Sequence, residues 1–77
     1  MEQKIKQDSI QIGANIRRIR LASGIKQAQF ARMLQLYGCD ITREALVKLE
    51  RGTQHITATQ LRAIRDVLKT TYDELLK

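Results

Sequence analysis

The chain has 77 residues, with 14 Lys or Arg against 8 Asp or Glu and a formal net charge of +6. This length suits one small domain, and no apolar run approaches the roughly 20 residues that a membrane-spanning helix needs. The polar N-terminal stretch MEQKIKQDSIQ lacks the apolar segment of a secretory signal, and the single cysteine excludes an internal disulfide. A cytoplasmic protein that does not enter a membrane is therefore expected.

The positive charge is concentrated at the start of the chain, where residues 1–26 carry six basic and two acidic residues. A small basic domain typically meets a polyanion, which is either nucleic acid or an acidic membrane surface. The alternative is that the charge serves only solubility.

The first helix is predicted to start at Asp8 or Ser9, because Asp8 and Gln11 have the spacing of a capping box. Residues 1–7 before it are expected to form a flexible arm. Gly24 is placed to end the helix in a left-handed conformation. Its inward face, at spacings of four, three and four residues, consists of Ile12, Ile16, Ile19 and Ser23.

Two further helices follow, and each ends at a glycine, Gly38 and Gly52. Thr42 is a suitable N-cap for the third helix, worth about 1 kcal/mol over alanine. The stripe of the second helix is Phe30, Met33, Leu34 and Tyr37. The stripe of the third helix is Ala45, Leu46 and Leu49.

The last two helices each begin at a threonine, Thr57 and Thr71, followed three residues later by Gln60 and Glu74, again as in a capping box. Their apolar residues are Leu61, Ile64, Val67, Leu68, Leu75 and Leu76. Five short helices with short connections predict an all-α fold, a compact five-helix orthogonal bundle that forms one domain over residues 1–77.

Catalytic and metal-binding patterns are weak in this sequence. His55 and Cys39 are the only residues of their types and stand sixteen positions apart, whereas a structural zinc site usually needs four such ligands. The adjacent carboxylates Asp73 and Glu74 fall in the first turn of a predicted helix, where the helix dipole favours negative charge. Neither an enzyme nor a cofactor or small-molecule ligand is expected.

The second and third helices carry a pattern that fits nucleic acid. Lys26 and Gln27 open the second helix, where backbone N–H groups attract phosphate oxygens. With the third helix's stripe turned inward, Arg43 and Glu44 face outward from its first turn, with Val47 and Lys48 beside them. Arginine can bond guanine with two hydrogen bonds, and glutamate can accept from cytosine N4. A solvated helix face is the simpler reading of the same residues.

The stretches GANIRRIRLASGIKQAQFA, ITREALVKLERG and ITATQLRAIRDVLKTTYDELL resemble the Cro/phage-repressor-like, or XRE-type, helix-turn-helix family over residues 9–76. The shared features are the arginine at position 20, the first helix that ends at a glycine, and two motifs that follow in the same order as in the family. These motifs are Gln27–Phe30–Ala31 and Leu49–Glu50–Gly52.

The resemblance implies a lambda-repressor-like DNA-binding domain whose third helix enters the major groove. It implies that Arg43 and Glu44 are the principal base readers, that Gln27 contacts backbone and base edges, and that Val47 and Lys48 flank them. It also implies that Arg20 and Glu50 form an ion pair behind this surface, which burial of a carboxylate would require. The residues implied to lie along the DNA backbone after the third helix are Arg51, Thr53, Gln54 and His55.

One segment departs from the family pattern. Gln27 and Glu50 stand 23 positions apart, farther than in compact members, and the surplus lies in LQLYGCD. It is expected to lengthen the second helix by about one turn and to loosen the connector Gly38–Ile41. The added Leu36 and Tyr37 would cover either the core, which is favoured, or a partner.

The function predicted from these features is sequence-specific binding of double-stranded DNA by a transcriptional regulator, a repressor that acts by occupying its operator. A lone domain of this size favours a homodimer on two half-sites, with Tyr72, Leu75 or Leu76 at the contact. The alternative is a protein-interaction module, such as an antitoxin-like or adaptor domain with the same fold, because fold does not fix function.

Overall fold

The computed structural model describes residues 4–5, 7 and 10–77. This part of the chain forms five α-helices and one pair of two-residue strands. The elements in chain order are β1 (Lys4–Ile5), α1 (Ile12–Ala22), α2 (Gln27–Tyr37), α3 (Arg43–Arg51), β2 (Ile56–Thr57), α4 (Ala58–Leu68) and α5 (Tyr72–Leu75). The predicted all-α, five-helix class is confirmed.

Local capping chemistry sets most helix boundaries. Gly38 and Gly52 end α2 and α3 in the left-handed region, with φ of 109° and 78°, where L-residues with side chains are strained. Three threonine hydroxyls accept a hydrogen bond from the backbone N–H three residues on; the pairs are Thr42–Ala45, Thr57–Gln60 and Thr71–Glu74. Thr57 and Gln60 complete a reciprocal capping box, whereas the Glu74 carboxylate lies near Arg18 and Lys77 instead.

The start of α1 differs from its prediction. The helix begins at Ile12, with Gln11 as N-cap and no side-chain capping bond, rather than at Asp8 or Ser9, which lie outside the described residues. The Gln7 side-chain oxygen accepts a 2.7 Å hydrogen bond from Gly13 N–H. One donor of the first turn is therefore satisfied from outside the helix, and a local capping box is not needed for it.

The strand pair was not predicted, because two residues are too few to show an alternating pattern. β1 lies antiparallel to β2, with Lys4 opposite Thr57 and Ile5 opposite Ile56. β1 and Gln7 fall within the segment expected to be a flexible arm. In the structure this part of the arm is attached to the domain by backbone pairing and by side-chain hydrogen bonds.

The core lies between α1 and α2, which pack on α3, and the later helices α4 and α5, which pack on α2 and α1. Its fully buried large side chains are Ile12, Ile16, Phe30, Leu34, Ile41, Leu46, Leu49, Ile56, Ile64 and Leu75. α1 packs on α3 and α5, and α2 packs on α3 and α4. Two isoleucines of this set lie outside the helices, Ile41 before α3 and Ile56 after it. Their burial in the same core anchors the chain on both sides of α3.

The extra turn of α2 does not cover the core, and this expectation was wrong. Leu36 is 80% exposed and Tyr37 is 52% exposed, because the inward face of α2 runs through Phe30, Ala31 and Leu34. The Tyr37 hydroxyl donates to the Asp66 carboxylate on α4. This hydrogen bond raises the pKa of Tyr37 and, with the neighbouring Arg65, lowers the pKa of Asp66.

The connector after α2 is longer than in a tight turn, but it is not loose. Cys39 N–H donates to Leu34 O at 2.9 Å, and the Gln35 side-chain amide donates to Ile41 O at 2.8 Å. Cys39 and Ile41 are buried. The inserted residues therefore form a closed turn with its own hydrogen bonds.

Candidate nucleic-acid interface

The first turn of α3 projects polar side chains from the body of the domain. Arg43, Glu44 and Lys48 are exposed and Val47 is half-buried, on the face opposite the buried leucines of α3. Among the described residues, no ion pair involves Arg43, Glu44 or Lys48. The sequence predicted this orientation, and the structure places all four side chains along one side of a helix that is capped at its base by Thr42.

The start of α2 contributes a cation and an amide with different surroundings. Lys26 is the exposed N-cap residue of α2 and makes no side-chain capping bond. Gln27 is half-buried, and its amide nitrogen donates to Glu50 Oε1 at 3.2 Å. The side-chain nitrogen of Gln27 is thus directed toward α3 rather than toward solvent. Gln27 therefore links α2 to α3 by a hydrogen bond, and the rest of its side chain is partly exposed.

Arg20 and Glu50 are brought together in the interior, each 5% exposed. Arg20 Nε lies 2.7 Å from Glu50 Oε2, and Arg20 Nη2 lies 2.9 Å from Glu50 Oε1. A third bond runs from Arg20 Nη1 to Ile25 O at 2.8 Å. Two parallel bonds between a guanidinium and a carboxylate fix orientation as well as distance. This pair therefore locks α1, the α1–α2 connector and the C-terminal end of α3 in one arrangement.

The last residue of α3 and the loop after it carry the residues that the resemblance placed along the DNA backbone. Arg51, Thr53 and His55 are exposed, and Gln54 is half-buried. Thr53 donates twice to Lys48 O, from its N–H at 3.0 Å and from its hydroxyl at 3.2 Å. The loop therefore turns back against the last turn of α3, which keeps these four residues at one end of the helix.

Sequence reasoning missed one residue at this surface and one buried residue behind it. Arg32, on an exposed face of α2, lines an open cleft together with Arg43, so a second arginine borders the cleft at the first turn of α3. Gly13 lies where α1 comes closest to α3, and a Cβ there would sit 1.9 Å from Leu49 O. The sequence did offer one signal for that close approach. Gly13 lies in the first turn of a helix, where no turn or left-handed conformation requires a glycine.

The cysteine and the histidine, the residue types most often used in catalysis or metal binding, lie in different environments. Cys39 is buried, which raises the pKa of its thiol, while His55 is exposed on the loop after α3. Within the described residues, no group of three or more His, Cys, Asp or Glu could hold a metal ion. No helix in that part of the chain has the length and apolarity needed to cross a bilayer.

Comparison with known proteins agrees with this architecture. No curated protein sequence matches the chain significantly. The fold is similar to the crystal structure of the clp gene regulator ClgR from C. glutamicum, with a TM-score of 0.75 and 21% identity, over 86% of this chain and 78% of that chain. The helix-turn-helix family model matches residues 16–75, which is most of the chain. The chain therefore belongs to the XRE-type helix-turn-helix family, a family of DNA-binding regulators rather than enzymes.

Proposed function

We propose that the protein binds double-stranded DNA in a sequence-specific manner and regulates transcription, with α3 as the helix that enters the major groove. The observation that carries this proposal is the exposed first turn of α3, on a helix whose C-terminal end is held to α1 by the Arg20–Glu50 pair. A helix placed in the major groove by its N-terminal turn reads base edges with side chains from that turn.

Arg43 and Glu44 are proposed as the principal base readers. Arg43 can donate two hydrogen bonds to O6 and N7 of a guanine, and Glu44 can accept from N4 of a cytosine. Each good pairing of this kind contributes about 1–3 kcal/mol of discrimination between bases. Val47 and Lys48 lie one turn further along α3, so they are proposed to contact the neighbouring base pairs. Gln27 at the start of α2 is proposed to contact the DNA backbone and base edges beside them.

Contacts with the DNA backbone are proposed for both ends of the surface. Lys26 lies at the start of α2, where the N–H groups of the first turn also face an approaching anion. The corresponding residues at the end of α3 and in the loop after it are Arg51, Thr53, Gln54 and His55. These contacts would position the protein without reading sequence, and each neutralised phosphate would steepen the salt dependence of binding by about 0.9 in log–log slope.

The proposed mode of action is occupancy of an operator by a homodimer, which represses transcription by blocking access to the site. A single helix-turn-helix has a small DNA interface, so two half-sites about 34 Å apart would supply the missing affinity. Of the three residues expected at the dimer contact, Leu75 is fully buried in the core and is excluded. Tyr72 and Leu76 are 37% and 38% exposed and remain in the proposal.

Selection of bound sequences from random double-stranded DNA tests this function, followed by binding to the selected site at several salt concentrations. We expect a defined half-site with twofold symmetry and an affinity that falls steeply with salt. Failure to enrich any sequence would refute DNA reading and favour the protein-interaction alternative. Binding to acidic vesicles without a preference for any DNA would favour a membrane surface as the polyanion.

A further inference from the structure

The N-terminal segment before α1 contains a residue that contacts three separate parts of the domain. Gln7 Nε2 donates to Leu49 O at 3.2 Å and to Gln54 O at 2.9 Å, and Gln7 Oε1 accepts from Gly13 N–H at 2.7 Å. One side chain therefore joins the start of α1, the end of α3 and the middle of the loop after α3.

This loop is held at both of its ends by other contacts. At its start, Gly52 adopts the left-handed conformation and Thr53 bonds back to Lys48 O. At its end, Ile56 is fully buried and pairs with Ile5 of β1. Between these two anchors, the bond from Gln7 to Gln54 O holds the centre of the loop.

Gln7 can reach all three partners because Gly13 leaves room for it. A Cβ at Gly13 would lie 3.0 Å from Gln7 Oε1 and 1.9 Å from Leu49 O. The missing side chain at Gly13 in particular allows α1 and α3 to approach closely enough for one amide to bridge them.

We infer that Gln7 is a positioning residue for DNA binding: it fixes the loop of residues 52–56 so that Arg51, Thr53 and His55 face the phosphates together. The inference rests on the proposed function, because it concerns the backbone contacts made by that surface. Gln7 itself acts through the loop, and it leaves base reading by the first turn of α3 unchanged.

The test compares Gln7→Met with Gln11→Met. The first change removes all three hydrogen bonds while keeping side-chain length and charge. The second is a matched control, because Gln11 is exposed and lines the same cavity beside Gly52. Binding of each protein to the selected site and to shuffled DNA is measured across a range of salt concentrations. Hydrogen exchange of the amides of residues 53–55 is measured in the free proteins.

For Gln7→Met we expect faster exchange in the loop and a log–log salt slope flatter by about 1, with the preference for the selected site over shuffled DNA retained. A merely structural effect that lowered the active fraction would reduce apparent affinity equally at every salt concentration and leave the slope unchanged. Gln7→Asn keeps the amide but shortens the side chain, and we expect the same flattening from it if Gln7→Met folds poorly.

The inference requires both results for Gln7→Met. An unchanged salt slope or unchanged hydrogen exchange in the loop therefore overturns it. In that case, DNA binding by the wild-type protein still supports the proposed function. Absence of DNA binding by the wild-type protein refutes the proposed function and this inference together. Equal effects of Gln7→Met and Gln11→Met would also overturn it, because the effect would then not depend on the bridging bonds.

Discussion

Replacing Gly13 with alanine sets two physical effects against each other. Alanine is favoured over glycine in a helix by about 0.5–1 kcal/mol, so helix propensity alone predicts a more stable protein. The structure predicts the opposite. The new Cβ would lie 1.9 Å from Leu49 O and 2.9 Å from Leu49 C, whereas carbon atoms in contact are separated by about 3.5–4.0 Å.

The clash cannot be relieved by rotating a side chain, because the nearest atoms belong to the backbone of α3. α1 must shift away from α3, which costs about 1–3 kcal/mol for an overpacked site. The shift also weakens the bond from Gly13 N–H to Gln7, worth about 1 kcal/mol. After subtraction of the propensity gain, we expect the free energy of unfolding to fall by about 1–3.5 kcal/mol. For a domain of this size, where each kcal/mol is worth about 4–8 °C, that lowers Tm by about 4–28 °C.

Thermal and urea denaturation followed by far-UV circular dichroism measure this change. Gly24→Ala is the control, since a Cβ there meets no atom within 4 Å and its cost comes only from a φ of 72°. That conformational cost is about 1–2 kcal/mol. A Gly13→Ala protein as stable as wild type would refute the close approach of α1 to α3 and, with it, the bridging position of Gln7.

Three further predictions concern the ion pair and the DNA surface. Glu50→Ala leaves the buried guanidinium of Arg20 unpaired and should lower the free energy of unfolding by about 3–5 kcal/mol in urea denaturation; a fully stable variant that only loses DNA affinity would contradict the interior role. Arg43→Ala should cost about 1–3 kcal/mol on the selected site and relax the preference at one base position, and an equal loss on random DNA would count against base reading. Lys26→Ala and Arg51→Ala should weaken binding to all sequences and flatten the salt slope by about 1 each, whereas an unchanged slope would remove them from the phosphate contacts.

The helix boundaries were predicted well where their signals act within a few residues. A threonine hydroxyl caps a backbone N–H three positions away, and a left-handed glycine ends the helix directly before it, so Thr42, Thr57, Gly38 and Gly52 are readable without knowledge of the fold. The exposed face of α3 follows from the same local period, because its buried leucines fix which way the other side chains point.

The features that the sequence did not reveal depend on residues distant along the chain. The bonds from Gln7 to Leu49 and Gln54 span 42 and 47 positions, and no local pattern marks them. Leu36 continues an apolar stretch, but whether that face meets another helix is decided by the path of α4. The burial of Leu75, which the sequence suggested for a dimer contact, likewise depends on where α5 docks against α1.

The pairing of Tyr37 with Asp66 has a practical consequence for optical measurements. The chain has two tyrosines and no tryptophan, and the other tyrosine, Tyr72, stacks under Arg65 with its ring centroid 4.5 Å from the guanidinium carbon. Both fluorophores therefore report on one corner of the molecule, where α2, α4 and α5 meet. Tyrosine emission and circular dichroism sample different regions, so coincident unfolding curves from the two would show that this corner melts together with the whole domain.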